Sequence, residues 1–305
     1  MSLRFGIGLR RYDTIVADAQ EAESQGFAFA SIGEHVFFHG PIGNGLIALA
    51  AAAGATTKIH LLSAITLVPL YPAALLAKQV ATLDVVSGGR FDLGVGVGGE
   101  YEPEFIACGV KRSQRGARTD EALEVMSRLF TEDDVRFDGR FTELTGVTLT
   151  PKPVQRGGPP VWVSGRSEAA MRRCARYGDF WLPYMYTPER LSSSLETIGT
   201  FAADAGREGA VEPAIFLFYA VHEDRETAIR MASDQLSAQY NQDFSGLVGK
   251  YALAGNPDDC IARLREYVDA GASTVILNAA CPTDYMADNQ ALLAKTVLPA
   301  FAAER

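Results

Sequence analysis

Short apolar runs alternate along this chain with longer stretches whose apolar residues recur every three or four positions, the pattern of a strand followed by a helix. Phe5, Ile7 and Leu9 alternate as a first strand. Asp13 is placed to cap a helix whose inner face takes Ile15, Val16, Ala19 and Ala22, and Gly26 stops it. The spacing predicts further strands at 27–32, 59–68, 90–97, 160–163, 180–184, 215–221 and 274–277. Run 59–68 is nearly all apolar, as expected of a strand buried on both faces. Helical periods fall at 46–53, 73–86, 116–130, 167–177, 188–205 and 225–239, after Pro257, and at 289–303. Two segments break the rhythm: a hairpin of Val135-Arg136-Phe137 and Phe141-Thr142-Glu143 about Asp138-Gly139, and an irregular stretch, 240–255, with the character of a lid. Eight strands, each trailed by a helix, with no linker dividing them, predict an α/β fold, a (β/α)8 TIM barrel, with 1–305 as a single domain.

Composition narrows the function. With 48% hydrophobic and 21% charged residues the chain has material for a sizeable core, which excludes a disordered scaffold. The 28 basic and 37 acidic residues leave a net charge of −9, opposite to the footprint of a nucleic-acid binder. No apolar run reaches the roughly 18 residues needed to span a bilayer. Met1 to Phe5 enters strand-like alternation at once with no signal-peptide core, so a soluble, cytoplasmic protein is expected. Cys108, Cys174, Cys260 and Cys281 are scattered without CxxC spacing and are expected as buried reduced thiols. His39, His60 and His222 form no HExxH pair, so no metal is expected.

In a barrel of this kind chemistry sits where strands end, on the C-terminal face. Three strand ends carry candidates. Glu34-His35 follows strand two and puts a side chain that titrates near neutral pH beside a carboxylate, as a structural pair or as an acid–base site. Gly94-Val95-Gly96-Val97-Gly98-Gly99 follows strand four; it satisfies GxGxxG but lies in and after a late strand and runs into Glu100-Tyr101-Glu102-Pro103. A dinucleotide fingerprint opens a helix in an early βαβ unit, so these glycines, Gly96 and Gly98 among them, either seat a flat ligand or allow close packing. Ser164-Gly165-Arg166-Ser167 precedes a helix after strand five, where free N–H groups and a guanidinium favour an anion such as phosphate; an ordinary Ser167 cap is the alternative.

The chain resembles the luciferase-like monooxygenases and their F420-dependent relatives. The resemblance is carried by Tyr71-Pro72-Ala73-Ala74-Leu75-Leu76-Ala77-Lys78-Gln79 and by Ser87-Gly88-Gly89-Arg90-Phe91 with Leu93-Gly94-Val95-Gly96. Glu34-His35, Glu104-Phe105, Pro151-Lys152-Pro153 and Pro160-Val161-Trp162-Val163-Ser164-Gly165 support it. It implies a bulged third strand, often with a non-proline cis peptide, here at Ser63-Ala64 or Ala64-Ile65, on which a flavin or deazaflavin ring rests. It also implies a cofactor phosphate at Ser164, Gly165, Arg166 and Ser167, and His35 as the active-site histidine. As the catalytic pair, His35 is expected to donate or accept the proton that accompanies the hydride, with Glu34 orienting the loop or tuning the histidine's pKa. The implied activity is F420-dependent hydride transfer to or from a small organic substrate. The alternatives are a two-component monooxygenase using reduced FMN and oxygen, with a separate reductase, or a silent flavin-binding relative. A homodimer is implied as well. Two departures stand out: Gly99 occupies the place where F420-dependent sugar-phosphate dehydrogenases carry a glutamate, one residue before Glu100, and Phe180 replaces a glycine and is expected to narrow the pocket.

Overall fold

The structure, a computed structural model, describes residues 3–9 and 11–304. Eight parallel strands close into a ring: Arg4–Gly8, Phe29–Ile32, His60–Ser63, Phe91–Gly96, Val161–Val163, Phe180–Trp181, Glu212–Val221 and Thr274–Ala279. Strand one pairs with strand two through Ile7 and Ala30 and with strand eight through Ile7 and Leu277, so the sheet has no free edge there. The predicted (β/α)8 barrel is the observed fold, with helices packed around it. Among the described residues no helix is long and apolar enough to cross a membrane.

The barrel is filled, not hollow. Phe29, Leu62, Trp162, Phe180 and Ile276 pack inside it; Trp162 and Phe180 stack at 3.9 Å, and Phe29 meets Trp162 edge-on at 5.0 Å. Phe180 therefore plugs the barrel interior, beneath the Arg4 guanidinium, and does not narrow a pocket at the mouth. Asp92, buried in the same interior, accepts from Trp162 Nε1 at 3.0 Å and faces His60 Nδ1 at 2.7 Å.

Several local readings shift. Asp13 pairs with Arg11 instead of capping, the first helix is Ile15–Ser24 behind Thr14, and Val16 faces solvent. The hairpin forms as Val135–Asp138 against Glu143–Val147, with Phe141 and Thr142 in the turn: Glu121 accepts from Arg140 N and Phe141 N and so fixes the wider loop. The segment read as irregular is regular in its second half, where helix Val248–Tyr251 leads into a strand, Ala252–Gly255, that pairs with the mouth end of strand seven. The four cysteines form no disulfide among the described residues; three are buried and Cys108 partly so.

The feature that shapes the mouth is in strand three. Leu62 pairs with Asp92 and Thr66 with Val95, four steps on one strand against three on its neighbour, so one extra residue bulges out. The peptide between Ala64 and Ile65, inside this bulge, is cis.

Candidate functional site

The bulge exists because its neighbour has no side chains in the way. A Cβ on Gly94 would lie 1.8 Å from the Ser63 carbonyl oxygen, and one on Gly96 1.7 Å from Ile65 Cδ1. Ser63 Oγ fastens the fit, donating to Gly94 O at 3.1 Å and accepting from Gly94 N at 3.0 Å. Of the residues expected against a ring, Ser63 is thus spent on strand pairing and Gly96 on housing Ile65. Ala64 and Ile65 remain half-exposed as a small apolar ledge. Gly98 (φ 59°) turns the chain between Leu67 and Phe105, each close to where its Cβ would stand.

Glu34 and His35, adjacent in sequence, are sent to different partners. Glu34 is buried: one oxygen accepts from Leu67 N at 2.9 Å, and the other from Tyr71 Oη at 2.9 Å and Gly45 N at 3.4 Å. Burial pushes its carboxyl above the usual range, against the pull of those donors. His35 instead turns Nδ1 to Glu104, 3.1 Å from Oε2, while Glu104 also accepts from Val36 N at 3.2 Å. Glu104 is fully buried, on the short helix Glu102–Ala107. A carboxylate only accepts, so a Glu104 carboxylate would place the proton on Nδ1 and leave Nε2 as the edge for a ligand. The other face of the ring is set by Phe38, stacked at 4.1 Å and 17°. Glu104 and Tyr71 were not singled out as site residues; the signal that could have found them is their place in the Glu104-Phe105 and Tyr71-Pro72 pieces of the resemblance.

Arg115 Nε is buried without a partner, 3.0 Å from where a Cβ of Gly99 would stand, with Arg112 Nε at 3.4 Å. The next residue, Glu100, accepts from the Tyr184 hydroxyl; Arg166 lies 5.0 Å over the Tyr184 ring, and the Arg166 carbonyl accepts from Arg190. Burial, together with Glu100, raises the Tyr184 hydroxyl, which stays a donor. Among the described residues, Arg112, Arg115, Arg166 and Arg190 have no carboxylate at ion-pair distance. Arg112 and Arg115, at Gly99, and Arg166 and Arg190, at Tyr184, are guanidinium groups that could offer an anion a basin, which Arg166 shares with the Glu100 carboxylate. Ser164 and Gly165 lie half-exposed beside it, and Ser167 caps helix Glu168–Tyr177, accepting from Ala170 N at 3.3 Å. The cap reading of Ser167 therefore holds. A cavity of about 290 Å³, walled by Phe38, Tyr184, Tyr240 and Phe244 with Glu100 and Arg166, opens here.

Residues 6–274 match the family described as luciferase-like monooxygenase. The chain belongs to the luciferase-like monooxygenases. Among relatives of this family, an uncharacterized protein of Mycobacterium tuberculosis is 33% identical over 165 residues, covering 54% of this chain and 56% of that protein. The FMNH(2)-dependent dimethylsulfone monooxygenase of Pseudomonas putida is 29% identical over 208 residues, covering 67% and 56%. These matches thus span little more than half the length of the curated relatives. Among solved structures, a monooxygenase from Streptomyces bottropensis superposes with a TM-score of 0.85 at 26% identity, over 98% of this chain and all of that one. An F420-dependent secondary alcohol dehydrogenase in complex with an F420-acetone adduct gives 0.86 at 20% identity over 99% of each, a likeness of fold. Proteins named as F420-dependent and proteins named as FMN-dependent or solved with FMN thus both stand among the neighbours.

Proposed function

We propose that this luciferase-like protein is an oxidoreductase that uses F420, passing a hydride between the deazaflavin and a small organic substrate. The residues fit such a group: an apolar ledge at Ala64-Ile65 for a flat ring, and beside it guanidinium groups and a helix N-terminus for an anionic tail. Ser164, Gly165 and Arg166 would hold the phosphate, with Arg115 supplying the buried donor that lacks a partner. When bound, the deazaflavin supplies the hydride donor or acceptor. The chain's own part is the proton. His35 Nε2 takes it from, or returns it to, the substrate heteroatom as the hydride leaves or arrives, so that charge on that atom never builds up. Glu104, buried and accepting from Nδ1, fixes the tautomer and balances the imidazolium whenever Nε2 is protonated. Phe38 keeps water off the ring. The observation that carries this reading is the His35–Glu104 pair beside the bulged ledge. Glu34, expected to orient the loop or tune His35, would orient it through its bonds to Leu67 N, Tyr71 Oη and Gly45 N.

A second reading uses reduced FMN and oxygen with a separate reductase, and the Pseudomonas putida relative, FMNH(2)-dependent by name, favours it. Titration with F420 and with FMN, followed by fluorescence, separates the two. Micromolar F420 binding without an FMN response supports hydride transfer through F420; the reverse sinks it in favour of FMN.

A further inference from the structure

The two ends of the loop that carries His35 meet on the Tyr71 hydroxyl, with a longer tie from Gly45 N to Glu34 Oε2 at 3.4 Å. Tyr71 Oη donates to Glu34 Oε2 at 2.9 Å and accepts from Asn44 Nδ2 at 2.9 Å, so residues at the two ends of loop 33–44 share one hydroxyl. Each of them is committed elsewhere as well. Asn44 Oδ1 caps helix Gly45–Ala53, accepting from Ile47 N at 3.0 Å. Glu34 Oε1 accepts from Leu67 N, just past the bulge. Between the tied ends run His35 and Phe38, stacked on one another, while Val36 and Phe37 face outward. Burial and the Glu34 carboxylate both raise the Tyr71 hydroxyl, so it keeps its proton and goes on donating.

We propose that Tyr71 is a positioning residue whose hydroxyl pins the His35 loop to the bulged ledge of strand three, holding the imidazole and the ring seat in one register. The inference rests on the ring seat and acid–base role assigned above. Its physical basis is economy of contacts. Removing one oxygen frees Asn44 Nδ2 and leaves Glu34 with one donor fewer in a buried place, so the loop loosens while Leu67 N, Gly45 N and Glu104 keep their own bonds to it. The rest of the ledge is untouched, because Ser63 and Gly94 hold it independently.

Tyr71→Phe keeps the ring and removes only that oxygen. Two measurements read the loop directly. In proton NMR of the whole protein, the His35 ring signals are displaced by the stacked Phe38 face; in Y71F that displacement collapses while His60, fixed by Asp92, keeps its shift as an internal control. Chymotrypsin, cutting after Phe37 or Phe38, attacks the Y71F loop roughly tenfold faster than wild type. FMN and F420, used as the probes, lose only a few-fold in affinity, because the ledge remains. Asn44→Ser, which keeps a helix cap but is too short to reach Tyr71, gives an intermediate effect and serves if Y71F does not fold. Unchanged His35 shifts and unchanged loop cleavage in both variants overturn the proposal. If wild type binds neither probe, the functional reading falls; if wild type binds and the variants match it in every readout, only the role of Tyr71 falls.

Discussion

Replacing Gly94 by alanine tests how the ring seat is built. The added Cβ would meet the Ser63 carbonyl oxygen at 1.8 Å and its carbon at 3.0 Å. An ordinary contact begins near 3.4 Å, so main chain on one side must move by about 1.5 Å. Main chain here has little freedom, because Ser63 is bonded to Gly94 in both directions and Ala64 N donates to Ile32 O at 2.8 Å. Overpacking of this kind costs about 1–3 kcal/mol, and a backbone neighbour puts Gly94→Ala at the upper end. Gly96→Ala is the control. Its Cβ would meet Ile65 Cδ1 at 1.7 Å, but that is the tip of a side chain able to turn. Thermal unfolding followed by circular dichroism should rank wild type above G96A and G96A above G94A, at about 2–4 °C per kcal/mol. In the same samples G94A should lose FMN or F420 affinity at least tenfold, since the bulge it displaces is the proposed seat, whereas G96A should lose less. Equal stabilities and equal affinities for the two variants would refute the argument that strand four exists in this form to house the bulge.

Other outcomes follow from the same geometry. Glu104→Gln offers His35 an amide that either donates or accepts, so the tautomer is no longer fixed; turnover should fall about a hundredfold with little change in cofactor affinity, and an unchanged rate would remove Glu104 from the acid–base unit. Arg115→Met and Gly165→Glu should each weaken FMN, which carries a phosphate, while leaving riboflavin, which does not, nearly as tightly bound; equal losses for both ligands would contradict the anion basin. Burial pushes the Cys260 thiol up to about 12 from its ordinary 9. A raised folded value means that its stabilising effect is complete below pH 9 and is lost between pH 9 and 12, by at most about 1.4 kcal/mol per pH unit. Urea unfolding of Cys260→Ala should show a correspondingly flatter alkaline decline, and parallel curves would refute the burial argument.

The barrel was legible because its signals are local: each strand is a short apolar run and each helix a 3.6-residue period, and the eight strands fall where that alternation puts them. Strand three was read as continuous across 59–68, and it was the resemblance, not the pattern, that pointed to a bulge near Ala64. The mouth is less legible for a physical reason. Consecutive residues leaving a strand point to opposite sides, so Glu34-His35 reads as a pair although the two side chains cannot face one another. The carboxylate that meets His35 comes from 69 positions further on, and adjacency says nothing of it. The glycines of strand four show the same ambiguity: their spacing mimics a nucleotide loop, and only the neighbouring strand reveals that Gly94 and Gly96 make room for protein. Phe180 is expected at the pocket from the resemblance, in which a glycine takes its place, whereas strand six is only two residues long and puts it against Trp162.

The most direct measurement is a crystal structure of the protein soaked with F420 or with FMN. The account predicts the planar ring lying on Ala64-Ile65 with His35 Nε2 at its reactive edge and the phosphate among Ser164, Gly165, Arg166 and Arg115. A ring bound elsewhere, or a phosphate far from those arginines, would contradict it.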